Sequence, residues 1–171
     1  MGLTVSSKLR LMGILAHPDD ESLGMGGTLA KYAREGVETY LVTATRGERG
    51  RYGDLPERPS LEEVGKMREA ELLEAAKTLG VKEIKILDYI DKDLDKAEPS
   101  EAIAKIAALI RKHRPHVVIT FGPEGAYGHP DHIAISQFAT AAVTCAADCE
   151  YFGNNGIPVE EKPHRVSKLY Y

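Results

Sequence analysis

At 171 residues, the chain is long enough to bury a full hydrophobic core as one domain without disulfides to stabilise it. Its 22 Lys and Arg against 26 Asp and Glu give a net charge of −4, which argues against a nucleic acid partner, because phosphates require clustered basic residues. The first ten residues lack the apolar core of a signal peptide, and no run approaches the roughly 20 apolar residues of a membrane span, so the sequence predicts a cytoplasmic protein without a membrane partner.

Strands and helices alternate along the predicted chain. Runs of apolar and β-branched residues indicate the strands, and helical spacing of apolar residues indicates the helices. Ser60 and Glu63 form the pattern of a capping box, and Gly36 and Gly80 are placed to end two helices. In chain order, we predict a strand at 11–16, a helix at 21–35, a strand at 37–45, a helix at 60–79, a strand at 81–89, a helix at 100–113, a strand at 117–121, a helix at 130–149 and a strand at 165–171.

This alternation predicts an α/β fold with a Rossmann-like, doubly wound, mostly parallel sheet and helices on both faces. In the strand order 3-2-1-4-5, the first and fourth strands are neighbours at the point where the winding reverses. Ligands of such folds bind outside the carboxyl ends of the strands at that point. Segments that follow strands 1 and 4 are therefore expected to meet in one crevice.

Two clusters of metal-binding residue types follow those two strands. The first is His17-Pro18-Asp19-Asp20-Glu21, and the second is Tyr127-Gly128-His129-Pro130-Asp131-His132. Either cluster alone could be a turn or a helix cap. Capping does not require histidine at both places, so the pair together predicts a metal site.

A hydrolytic zinc site uses three nitrogen or oxygen ligands from the protein. We predict that His17, Asp20 and His132 supply them. Asp19 is adjacent to a ligand and cannot easily face the same metal, so its carboxylate is left to act as a general base toward water.

The remaining polar residues of the two clusters have predicted supporting roles. His129 and Tyr127 are the available donors for the negative charge that grows on a carbonyl oxygen under attack. Asp131 is placed to bond an imidazole, and we expect it to raise the pKa of His129. The role of Glu21 stays open, with the backbone amides of the loop as one partner for its carboxylate.

The motifs AHPDDE at 16–21 and YGHPDH at 127–132 closely resemble the signatures of the PIG-L/LmbE-like family of zinc-dependent N-acetylglucosaminyl deacetylases, and the resemblance spans residues 11–171. It implies zinc ligands at His17, Asp20 and His132, the base at Asp19, and His129 with Tyr127 at the oxyanion or the leaving amine. Arg68 and Asp91 match positions that contact sugar hydroxyls in relatives.

The resemblance implies an enzyme with one zinc ion per chain that removes the N-acetyl group from an N-acetylglucosamine-containing small molecule. An amidase for a larger N-acyl glucosamine conjugate is one alternative, and a non-catalytic nucleotide-binding Rossmann-like module is another. Relatives usually continue past the strand that residues 169–171 resemble, so we expect residues 1–171 to be a single domain that lacks a C-terminal segment. A homo-oligomer is left open.

Overall fold

The computed structural model describes residues 8–53, 57, 59–151 and 161–171. Strands and helices alternate, as the sequence predicts. The elements are β1 (Arg10–Leu15), α1 (Asp20–Arg34), β2 (Glu38–Thr45), α2 (Leu61–Leu79), β3 (Glu83–Tyr89), a 3-10 turn (Leu94–Lys96), α3 (Pro99–His113), β4 (Val117–Ile119), the short turn α4 (Gly125–Gly128), α5 (Pro130–Ala147) and β5 (Lys168–Tyr170).

The five strands form one parallel sheet in the order β3-β2-β1-β4-β5, which confirms the predicted doubly wound topology. β1 lies at the centre, paired with β2 on one side and β4 on the other. The carboxyl ends of β1 and β4 are therefore adjacent. This is the position at which the winding reverses and at which such folds bind ligands.

The core lies in two layers because successive side chains of a strand point to opposite faces of the sheet. Met12 and Ile14 of β1 belong to the apolar cluster that includes residues of α3 and α5. Leu11 and Leu15 point the other way, into the cluster that includes residues of α1 and α2. Helices thus cover both faces of the central strand, as predicted.

The ends of the helices follow local sequence signals. Ser60 and Glu63 make the reciprocal bonds of a capping box at the start of α2, and Gly80 ends that helix at a φ of 76°. Pro130 opens α5, and the His129 side chain caps it by accepting a hydrogen bond from the Asp131 amide. Within the described part of the chain, no helix is both long and apolar enough to cross a membrane.

The last two strands are reduced to three residues each, shorter than predicted. β4 covers only Val117–Ile119, and β5 only Lys168–Tyr170, because each is limited by its pairing with the other over three residues. Beyond β4, the Thr120 side chain donates to the Ile14 carbonyl at 2.8 Å, and the chain turns away through α4, which the sequence did not predict. This turn directs the second cluster toward the first.

Candidate metal and catalytic site

The two sequence clusters meet at the carboxyl ends of β1 and β4. His17 follows β1, and His132 lies in the first turn of α5. Although 115 residues separate them, the Nε2 atom of His132 is 3.2 Å from the Nδ1 atom of His17. The topology therefore produces the crevice predicted from the sequence.

The three predicted metal ligands converge on one point. The Asp20 carboxylate places one oxygen 3.4 Å from His132 Nε2 and the other 3.7 Å from His17 Nδ1. These ligand atoms form one of two groups in the described chain that could hold a metal ion; the other consists of His17, His129 and Asp131. Bonds of 2.0 to 2.1 Å to a tetrahedral zinc ion imply ligand separations of about 3.3 Å. The first group therefore fits a tetrahedral metal.

Asp20 is held by the backbone of the preceding turn. Its Oδ2 atom accepts hydrogen bonds from the amides of His17 at 2.8 Å and Ala16 at 3.1 Å. These bonds fix the carboxylate at the N-terminus of α1, where the helix dipole also favours a negative charge. The ligand is thus oriented before any metal binds.

His17 is oriented by carboxylates on the side away from the ligand group. Its Nε2 atom lies 2.9 Å from Asp131 and 3.2 Å from Asp91. Asp131 is fully buried and also accepts the amides of Lys92 at 2.7 Å and Leu94 at 3.2 Å. A proton on Nε2 leaves Nδ1 with a free lone pair, which is the arrangement of a carboxylate–histidine–metal triad.

This contact corrects the predicted role of Asp131, whose carboxylate bonds His17 rather than His129. The pKa of His129 is not raised but lowered, by burial and by the neighbouring His17 and His132, and the charge of Asp131 does not offset them. The only bond between the two residues runs from the Asp131 amide to His129 Nδ1, at 3.2 Å. The predicted bond to an imidazole is present, but it goes to His17 because the Lys92 and Leu94 amides hold the carboxylate on that side.

The same carboxylates control the charge of His17. Burial lowers its pKa, but the hydrogen bonds to Asp131 and Asp91 and the charge of Asp20 outweigh burial and raise the pKa to about 9. In the absence of a metal, His17 is therefore a cation at neutral pH. A metal ion would have to displace the proton from Nδ1.

Asp19 lies beside the ligand group with an unusual backbone. Its φ is 100°, in the region that side chains rarely adopt, and its side chain is 57% exposed. Glu21 is buried, and its carboxylate accepts the Asp19 amide at 3.0 Å, which answers the open question of its role. Burial raises the pKa of Asp19, and the adjacent Arg68 guanidinium only partly offsets it.

Arg68 and Asp91 line the same cleft, but both already have protein partners. Asp91 is 3% exposed and, besides contacting His17, accepts the Arg49 amide at 3.0 Å. The Arg68 guanidinium donates to Asp19 at 3.0 Å. The predicted contacts of these two residues with substrate hydroxyls remain a prediction.

Tyr127 and His129 lie at the mouth of the site. The Tyr127 side chain is 77% exposed, and its ring meets the His129 ring edge-on at 5.9 Å between centroids. The His129 ring centre is 4.9 Å from that of His17 and 4.8 Å from that of His132. Both donors thus lie near the ligand group, where a substrate carbonyl could reach them.

Two residues that support the site were not predicted from the sequence. Phe121 stacks face to face on His132, with centroids 3.8 Å apart, and holds that ring although its buried Nδ1 has no hydrogen-bond partner in the described chain. Buried Glu48 accepts the Asp91 amide at 3.1 Å. Phe121 was assigned to strand 4, and its position just before the second cluster is the signal that indicates a role in the site.

The site opens into a cleft of about 750 Å³. Polar residues described above line this cleft. Apolar residues of α1 and α2 also line it, among them Leu23, Met67 and Leu72. The cleft is large enough for a small molecule rather than only a metal and water.

A parallel sheet in the order 3-2-1-4-5 with a His-Asp-His group at its switch point defines a Rossmann-like α/β protein with a candidate metal centre. The PIG-L family model, GlcNAc-PI de-N-acetylase, matches residues 12–143. The chain belongs to the PIG-L family, which confirms the resemblance of its two motifs.

Three proteins illustrate what the chain is similar to. A 1D-myo-inositol 2-acetamido-2-deoxy-alpha-D-glucopyranoside deacetylase of Rhodococcus opacus (strain B4) is 37% identical over 185 residues, covering 96% of this chain and 61% of the relative. The N,N'-diacetylchitobiose deacetylase of Pyrococcus horikoshii has a TM-score of 0.82 at 30% identity, over 96% of this chain and 60% of that one. The conserved protein TT1542 of Thermus thermophilus has a TM-score of 0.76 at 36% identity, over 95% of this chain and 66% of that one.

Proposed function

We propose that this chain is a zinc-dependent N-deacetylase that hydrolyses the N-acetyl group of an N-acetylglucosamine-containing small molecule, releasing acetate and a free amine. The observation that carries the proposal is the convergence of His17, Asp20 and His132, with ligand atoms 3.2 to 3.7 Å apart, beside the exposed Asp19 carboxylate. Family membership and the substrates named for the inositol and chitobiose relatives support the substrate class.

Zinc suits this ligand set. Two imidazoles and one carboxylate are nitrogen and oxygen donors of the kind found in catalytic zinc sites, and three protein ligands leave one position open. A bound zinc ion would polarise the substrate carbonyl and lower the pKa of water. We therefore assign one zinc ion per chain to His17, Asp20 and His132.

Asp19 acts as the general base in this proposal. Its carboxylate takes a proton from the attacking water and passes it to the departing amine. Burial raises the pKa of this carboxyl, which makes its carboxylate a stronger base. The exposed position gives the carboxylate direct access to substrate in the cleft.

His129 and Tyr127 stabilise the oxygen that gains charge. Since His129 Nδ1 accepts the Asp131 amide, the ring proton lies on Nε2 and can be donated. The lowered pKa of His129 keeps the imidazole neutral, so it acts by hydrogen bonding rather than as a cation. The Tyr127 hydroxyl is the second donor.

The test is acetate release by the purified protein from N,N'-diacetylchitobiose and from the N-acetylglucosaminyl inositol. We expect about one zinc per chain, loss of activity with a chelator, and recovery on adding zinc. Asp19→Asn should keep the zinc and lower kcat by at least about 100-fold, as expected for a general base. The matched control Asp95→Asn replaces an exposed aspartate outside the site.

The outcomes separate the parts of the proposal. Zinc-loaded protein that releases acetate from neither sugar would contradict the substrate class. Full activity of Asp19→Asn would contradict the base. Tight nucleotide binding without hydrolysis would favour the alternative of a nucleotide-binding module.

A second candidate, an amidase for a bulkier N-acyl glucosamine conjugate, is favoured by exposed apolar residues that line the cleft. Leu23 is 85% exposed and Met67 40% exposed, although both are apolar. A longer acyl chain would cover them and gain about 25 cal/mol per Å² of apolar surface removed from water. Comparing N-acetyl and N-hexanoyl glucosaminides distinguishes the two, because only the amidase should have the higher kcat/KM for hexanoyl.

A further inference from the structure

The Arg68 guanidinium is buried between two loops and is directed toward the residue proposed as the base. Its side chain is 13% exposed. Nη2 donates to the Pro18 carbonyl at 2.5 Å and to Asp19 Oδ2 at 3.0 Å, and Nη1 donates to the Gly47 carbonyl at 3.1 Å. Three of its five N–H groups are thus used within the protein.

The loop after β2 is shaped to admit this guanidinium. Gly47 has a φ of 66°, which favours glycine, and a Cβ atom at Gly47 or Gly50 would overlap with Arg68 Nη1. The Gly47 amide is itself held by Thr45 Oγ1 at 3.1 Å. Two glycines therefore keep open the space that the guanidinium fills.

The contacts of Arg68 fix a segment that is otherwise unfavourable. Asp19 has a φ of 100°, a conformation that persists in proteins only where the surroundings enforce it. Glu21 holds the Asp19 amide, and Arg68 holds both the preceding carbonyl and the Asp19 side chain. With Oδ2 engaged by Arg68, Oδ1 is left to take a proton.

We propose that Arg68 is a positioning residue that holds the Asp19 carboxylate in place as the base, an inference that rests on the proposed hydrolase function. In a residue that only binds substrate, the N–H donors would be free to bond the ligand. Arg68 instead donates two N–H groups to the turn that carries Asp19 and a third to the Gly47 carbonyl. Its removal is therefore expected to slow the chemical step more than it weakens substrate binding.

The experiment compares Arg68→Met, Arg68→Lys and the control Arg46→Met with the wild-type holoenzyme on N,N'-diacetylchitobiose. Arg46 is a half-buried arginine of the same region that pairs with Glu69 and Asp88 and does not contact Asp19. Misplacing a catalytic group costs about 100-fold, so Arg68→Met should lower kcat by about that factor with KM almost unchanged. Arg68→Lys, which keeps the charge and one donor nitrogen in place of three, should recover part of kcat.

A second readout does not depend on activity. Hydrogen exchange of the backbone amides at 19–23 in the metal-free protein should accelerate about tenfold or more in Arg68→Met, because the turn loses its anchor, and should be unchanged in Arg46→Met. Zinc content and the thermal midpoint identify a variant that fails to fold. If Arg68→Met is unfolded, the same kinetic and exchange measurements are compared between Arg68→Lys and the wild type.

The outcomes differ for the two proposals. A rise in KM with kcat unchanged, or exchange rates equal to wild type, would overturn the positioning role and leave Arg68 as a substrate contact. Zinc-loaded wild-type enzyme that releases acetate from neither of the two sugars would instead overturn the proposed function, and faster exchange in Arg68→Met would then still show that Arg68 anchors the turn at Asp19.

Discussion

The two ring nitrogens of His17 have different partners, and this division of contacts determines what the residue can do. Nδ1 faces His132 and Asp20, whereas Nε2 faces two buried carboxylates. Carboxylates that bond the outer nitrogen of a metal-binding imidazole fix its tautomer and raise its basicity. We therefore expect Asp91 and Asp131, which lie outside the ligand group, to influence its affinity for a metal.

Asp131→Asn tests this arrangement. The amide oxygen of asparagine can still accept the Lys92 amide, so the fold should persist, but His17 loses a charged acceptor. Zinc affinity should fall by about 10- to 100-fold, as is typical when such partners are replaced. Competition with a chromophoric chelator measures it, with Asp95→Asn as the control, and an unchanged affinity would show that Asp131 does not orient His17.

The sequence predicted the residue types of the site better than their contacts. His17, Asp20 and His132 come together as the motif pair predicts, because neighbouring strands must deliver their ends to one place. The partner of Asp131 was wrong because it depends on how the backbone at 92–94 folds over the carboxylate. The contact of Arg68 with Asp19 joins residues 49 positions apart, and no motif spacing in the sequence indicates it.

At the level of elements, caps and pairing partners decided the boundaries. The capping box of α2 and the glycine that ends it follow local chemistry and were predicted correctly. β4 and β5 were predicted too long because pairing sets strand length, and β5 pairs only with β4. Local sequence signals therefore predicted the helix ends, whereas predicting the strand ends requires knowledge of how the strands pair in the sheet.

Glycine substitutions in helices test this picture of the elements. Gly27 lies within α1, and a Cβ atom there would meet nothing within 4 Å, so Gly27→Ala should stabilise the fold by about 0.5 to 1 kcal/mol. Gly80 has a φ of 76°, and its Cβ would approach that of Ala33 to 2.8 Å, so Gly80→Ala should destabilise. Urea unfolding measures the change in unfolding free energy for each variant. Changes of the same sign would contradict the different roles given to Gly27 and Gly80.

At the scale of the molecule, one domain-wide topology joins the two halves of the site, since the ligands come from the segments after β1 and β4. The strand order predicted from the alternation of strands and helices agrees with the observed sheet. The chain spans about 61% of the length of the Rhodococcus relative. The three proposed metal ligands, His17, Asp20 and His132, all lie in the described part of the chain.

The charge of His17 links this site to the stability of the whole fold. Its pKa is about 9 in the folded, metal-free protein, against 6.5 as the ordinary value. A group whose pKa rises on folding stabilises the protein fully below the ordinary value, and the contribution is lost as pH increases through the folded value. The metal-free protein should therefore lose roughly 3 kcal/mol of unfolding free energy between pH 6.5 and 9, from about 1.4 kcal/mol per pKa unit.

Urea unfolding of the chelated protein at a series of pH values measures this loss. His17→Gln keeps a polar side chain but cannot be protonated, so its stability should vary much less over the same range. Zinc should reverse the trend, because binding needs the neutral imidazole and its affinity increases as the proton leaves. A metal-free wild type whose stability is flat from pH 6.5 to 9 would contradict a protonated His17 among the three carboxylates.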